Sequence, residues 1–100
     1  MFLTLHLDGK NRIIALDMVS IGSLNQSIVH PRELFKTALL SSAAAIIMVH
    51  NHPTGDPTPS REDIDITRRI KEAGEILGVK LLDHIIIGSS YLSFVGRGLL

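Results

Sequence analysis

The sequence predicts an α/β fold in which a mixed sheet is sandwiched between helices. Strand-like and helix-like segments interleave along its 100 residues. One stretch, Ala43 to Val49, is apolar without a break, as a strand covered on both faces should be. Ile66, Ile70, Ala73 and Leu77 recur at helical spacing and mark an amphipathic helix against that sheet. The length suits one domain, so residues 1–100 are read as a single unit. Aromatic residues make up only 4%, which makes the expected core aliphatic.

Phe2 to Leu7 sets Leu3, Leu5 and Leu7 against Thr4, His6 and Asp8, the alternation of a half-buried strand. By this reading His6 points outward from an edge strand. Asp8-Gly9-Lys10-Asn11 is a tight turn, and Arg12 to Ser20 is the return strand, with Ile13, Ala15, Asp17 and Val19 on one face. Gly22 to Ser27 is a polar break before a short strand at Ile28-Val29. Pro31 opens a helix over about 31–41. The run from Pro53 to Pro59 cannot be regular structure. Ser60 starts the second helix, with Asp63 at capping-box spacing, and Gly78 stops it. Val79–Leu82, Ile85–Ile87 and Tyr91–Val95 are three further strands, with Asp83-His84 a turn between the first two or a pair that orients a ligand imidazole.

Composition removes several function classes. Ten basic and ten acidic residues cancel, so nothing in the charge supports a nucleic-acid partner. Arg61, Arg68, Arg69 and Lys71 interleave with Glu62, Asp65, Glu72 and Glu75, as on a solvated helix face. With no cysteine there is no disulfide framework, thiolate nucleophile or thiolate zinc site, and a cytoplasmic location is expected. No apolar run approaches the ~18 residues of a membrane-spanning helix. The chain begins in strand-like sequence without a signal peptide, so the domain is expected to be the C-terminal part of a longer protein. The Leu-rich first strand makes a second copy of the chain a candidate partner.

The informative segment is His50-Asn51-His52-Pro53, followed by Ser60-Arg61-Glu62-Asp63. Residues i and i+2 of an extended chain point the same way, so both imidazoles can face one point at the end of the central strand. The loop that follows can return Asp63 towards them. Two imidazoles and a carboxylate suit zinc with a fourth position left open. Spacing alone leaves a plainer alternative, in which Ser60 and Asp63 only cap a helix and the histidines are hydrogen-bonded bystanders.

His-x-His-Pro and Ser-x-x-Asp, with seven residues (53–59) between the second His and the Ser, resemble the signature of the JAMM (MPN-type) metalloproteases. Gly22-Ser23-Leu24-Asn25, Val29-His30-Pro31-Arg32-Glu33 and Leu82-Asp83-His84 extend the likeness to the RadC-like bacterial branch, historically labelled DNA repair proteins. The resemblance covers nearly the whole chain. It implies a three-layer α/β/α fold like that of the cytidine deaminases. It also implies Zn2+ on His50, His52 and Asp63, with Ser60 stabilising an oxyanion, and hydrolysis of peptide or isopeptide bonds in a protein or peptide substrate. The family's general base is a glutamate on an upstream strand. Here only Asp17 stands at that place, one methylene shorter. The alternatives are a zinc-retaining interaction module of weak activity and a DNA-repair-associated domain.

Overall fold

The computed structural model describes residues 1–19 and 29–100. Strand β1 (Phe2–Leu7) turns back through Asp8, whose carboxylate accepts from the Lys10 and Arg12 amides, into β2 (Ile13–Met18). Helix α1 (Pro31–Leu40) starts on Pro31, whose missing N–H costs nothing at a helix start. The remaining elements are β3 (Ala45–Asn51), α2 (Arg61–Leu77), β4 (Lys80–Ile87) and β5 (Tyr91–Ser93). Among the described residues they form one mixed five-stranded sheet in the order β2-β1-β3-β4-β5, with β3 and β4 parallel and the other pairs antiparallel. No described helix is long and apolar enough to cross a membrane.

The α/β class and the mixed sheet are as expected. The layering follows from handedness. Strands β2, β3 and β4 run the same way, and the chain passes from β2 to β3 and from β3 to β4 in the same direction across the sheet. Right-handed crossovers then place both helices on one face. Leu34, Phe35 and Ala38 of α1 pack there with Ile66 and Ile70 of α2 over Phe2, Ile46, Met48 and Leu81. The described residues thus supply the sheet and one helical layer. On the other face Ile14, Leu16 and Met18 are exposed.

Several local expectations change. β1 lies between β2 and β3 rather than at an edge. Its helix-facing side carries Phe2, Thr4 and His6, all buried, while Leu3 and Leu5 look to the other face. His6 is therefore not solvated, and its Nδ1 lies 2.8 Å from Ser41 Oγ. The two strands expected at Val79–Leu82 and Ile85–Ile87 are one, β4, which absorbs Asp83-His84 by a register shift opposite Ile46 and Ile47. Asp83 fits because its carboxylate accepts from the His84 and Val95 amides and the Ser93 hydroxyl. Of the expected strand at Ile28-Val29, Val29 is buried but in no strand; Ile28 and the break at Gly22–Ser27 lie outside the described residues.

Candidate metal centre

Strand β3 carries the two histidines and α2 the carboxylate. His50 is still within β3, and the His52 amide donates to the Ile87 carbonyl at 2.9 Å, prolonging the parallel pairing by one residue. The sheet's pleat therefore aims both rings at one side. Ser60 and Asp63 do form the expected capping box. The Asp63 amide donates to Ser60 Oγ at 3.1 Å, and the Ser60 amide donates to Asp63 Oδ2 at 2.8 Å. The cap that starts the helix also fixes the carboxylate.

These three side chains converge. His50 Nε2 lies 3.0 Å from Asp63 Oδ1 and 3.1 Å from His52 Nε2, and His52 Nε2 lies 3.0 Å from Asp63 Oδ2. Ligands about 2.1 Å from a tetrahedral ion stand about 3.4 Å apart, so the trio is close to that spacing. The side chains line a cleft of about 260 Å³ together with Met1, Phe2, Val29 and Ser60. Phe2 stacks on His50, with ring centroids 5.3 Å apart.

The partners of the outer ring nitrogens assign every proton. Thr67 Oγ1 donates to the Asp63 carbonyl at 2.6 Å, so it accepts from His84 Nδ1–H, also at 2.6 Å. Burial lowers the His84 pKa to about 3, so the ring is neutral and its Nε2 is an acceptor. His50 Nδ1, 2.9 Å away, must be the donor to it. His52 Nδ1 faces the Asp56 carbonyl at 2.9 Å and must likewise carry a proton. Both Nε2 atoms are then bare lone pairs, aimed at each other and at a carboxylate. Such an arrangement repels itself unless a cation or a proton lies between the three. Burial works against ionisation of Asp63, but the hydrogen bond from the Ser60 amide and the closeness of the His50 ring outweigh it and hold the carboxyl well below the usual range.

Asp17 is not brought to this trio. Its register partner on β1 is Thr4, whereas His50 is paired with Phe2. Two strands across and two residues along put its Cα about 12 Å from that of His50. Its carboxylate instead accepts from Thr37 Oγ1 of α1 at 2.8 Å. Two contributors have weaker sequence signals. His84 is half of the Asp83-His84 pair and holds the His50 ring, while Asp83 serves the backbone. Thr67 is marked only by its place four residues after Asp63, one turn along the same helix face.

The sequence pattern of the RadC-like JAB domain family matches residues 1–99. Among curated proteins, the chain is 73% identical over 100 residues to the UPF0758 protein of Geotalea uraniireducens and to that of Pelobacter propionicus, covering 99% of this chain and 44% of each relative. It is 66% identical over 100 residues to UPF0758 protein GSU0386 of Geobacter sulfurreducens, with the same coverage. The chain thus spans less than half the length of these relatives.

Proposed function

We propose, for a chain that belongs to the RadC-like JAB domain family, a zinc-dependent hydrolase acting on peptide or isopeptide bonds. The observation that carries this reading is the convergence of His50 Nε2, His52 Nε2 and the Asp63 carboxylate with no proton assigned between them. The residues suit zinc, since two neutral imidazoles and one carboxylate leave one of four positions open. Zinc held there supplies a Lewis acid and lowers the pKa of water towards ~7.

The chain's own residues have separable tasks. His50 and His52 offer lone pairs, and Asp63 offers the negative charge. Ser60 Oγ accepts the Asp63 amide, so its own O–H is available to donate to the oxygen on which charge develops as an amide is attacked. Phe2 and Ile66 give the cleft an apolar wall. One observation favours a second reading, a zinc-retaining interaction module of weak activity. Asp63 is the only carboxylate lining the cleft among the described residues, and Asp17 is engaged by Thr37.

Metal analysis with thermal unfolding tests the first step. The purified chain should hold about one zinc, and saturation at a hundred times the dissociation constant should stabilise it by about 2.7 kcal/mol. Both effects should vanish in His52→Ala and on chelation. A chain that holds no zinc and is indifferent to chelator would remove both readings. Cleavage of peptide and isopeptide substrates by the zinc-loaded chain separates the enzyme from the module.

A further inference from the structure

The loop that carries His52 rests backbone to backbone on the β4–β5 turn. The Gly55 amide donates to the His52 carbonyl at 3.0 Å, closing a turn that Gly55 completes at φ +88. The Gly55 carbonyl then accepts from the Ser89 amide at 2.7 Å. Directly beside that bond lies Gly88. A Cβ built there would stand 2.3 Å from the Gly55 oxygen, 2.7 Å from its carbonyl carbon and 3.1 Å from Pro57 N. Real Cβ atoms essentially never come within 3.0 Å, so any side chain at Gly88 forces the loop and the turn apart by about 0.7 Å or more. The residue after Gly55 is Asp56, whose carbonyl holds His52 Nδ1–H.

We infer that Gly88 and Ser89 are positioning residues for the metal centre. The β4–β5 turn fixes the Gly55 carbonyl, Gly55 fixes the Asp56 carbonyl, and Asp56 fixes both the tautomer and the aim of His52. The inference rests on the reading of His52 as a ligand. It goes beyond that reading by assigning ligand alignment to a turn that contributes no side chain to the site. Metal ligands tolerate displacements of only about 0.2 Å, so a shift of the size forced at Gly88 is large on that scale.

Gly88→Ala is the test, with Gly9→Ala as control because nothing lies within 4 Å of a Cβ there. Zinc affinity, measured by competition with a chromophoric chelator, should fall ~10–100-fold in Gly88→Ala, as for other groups that hold a ligand from behind, and stay unchanged in Gly9→Ala. Long-range nitrogen–proton NMR of the metal-free chain should show His52 protonated on Nδ1 in the parent and divided between tautomers in Gly88→Ala. Unchanged affinity and an intact Nδ1–H tautomer would overturn the inference. Should Gly88→Ala not fold, Ser89→Pro removes the N–H that holds the Gly55 carbonyl and sets a ring methylene against that oxygen, so it also displaces the loop and carries the same expectation. Loss of the fold in both would also overturn it, because the contact would then serve the fold and not the ligand. If His52→Ala leaves zinc binding intact, the metal reading fails, while the tautomer of the metal-free chain still decides the role of the turn.

Discussion

Thr67→Val removes one hydroxyl and almost no volume, and it isolates the proton order behind His50. Thr67 is buried, and its Oγ1 both donates to the Asp63 carbonyl and accepts from His84 Nδ1–H. Without the hydroxyl, His84 has two courses. It can keep its proton on Nδ1, unpartnered in the core, at about 1–3 kcal/mol. Or it can move the proton to Nε2, which faces His50 Nδ1 at 2.9 Å. His50 must then give up its Nδ1 proton and carry one on Nε2, the atom that faces His52 and Asp63. The first course costs stability and the second costs affinity.

The expected result is a chain destabilised by about 1–3 kcal/mol in urea, with zinc affinity reduced ~10–100-fold, or about 1.4–2.8 kcal/mol. Thr67→Ser keeps the hydroxyl and should restore most of the affinity. Nitrogen–proton NMR should find His50 protonated on Nδ1 in the parent and on Nε2 in a fraction of Thr67→Val. If the valine variant binds zinc as the parent does and His50 keeps its Nδ1 proton, the relay from Asp63 through Thr67 and His84 does not set the ligand tautomer, and the proton assignment is wrong.

Three further outcomes follow from particular groups. Asp17→Asn should leave the hydrolysis rate of the zinc-loaded chain unchanged, because Asp17 hydrogen-bonds Thr37; a fall of ~10²–10⁴-fold would make it the base after all. Acid should destabilise the metal-free chain between pH 6.5 and about 3, because unfolded His84 takes up a proton near its ordinary value while the folded residue refuses it until about pH 3. The slope from this one group reaches at most about 1.4 kcal/mol per pH unit, Asp63 adds in the same direction at the acid end, and urea titrations with no acid-side loss would contradict the burial of a neutral His84. Ile70→Ala should cost about 2–5 kcal/mol in urea or thermal unfolding, since Ile70 is fully buried between α2 and the sheet; a loss under 1 kcal/mol would mean that the helix packs elsewhere.

The trio was legible because its order is local. Two histidines at i and i+2 on one strand end, and a carboxylate in the first turn of the next helix, need only the loop between them to close. What lies behind the trio was much less so. Asp83-His84 interrupts an apolar run, and a polar pair in that place reads as a turn; only the carboxylate's own bonds to the backbone and to Ser93 keep the strand going. Thr67 looks like any threonine on a helix until the fold brings His84 against it. Alternation also pointed to the wrong face of β1, because Leu3 and Leu5 outweigh Thr4 and His6 in hydropathy. Which face the helices cover is decided by crossover handedness, a property of the whole sheet order that no six-residue window contains.

The two imidazoles are aimed by different means, and this divides the consequences of mutation. His50 is set from inside. Its Nδ1 meets His84, which is fully buried and stacked on Phe94 at 4.6 Å, and His84 in turn meets Thr67 in the core. Every change along that line leaves a buried polar atom unpaired, so affinity and stability fall together. His52 is set from outside, by a carbonyl on an exposed loop propped against an exposed turn. Changes there free groups that water can satisfy, so affinity should fall with little loss of stability. The carboxylate belongs to both regimes, since Asp63 meets His50 and His52 with its side chain and Thr67 with its carbonyl. An ion held by the trio therefore joins β3 to α2 across the same residues that the core already joins, and the free energy of binding it is also free energy of folding.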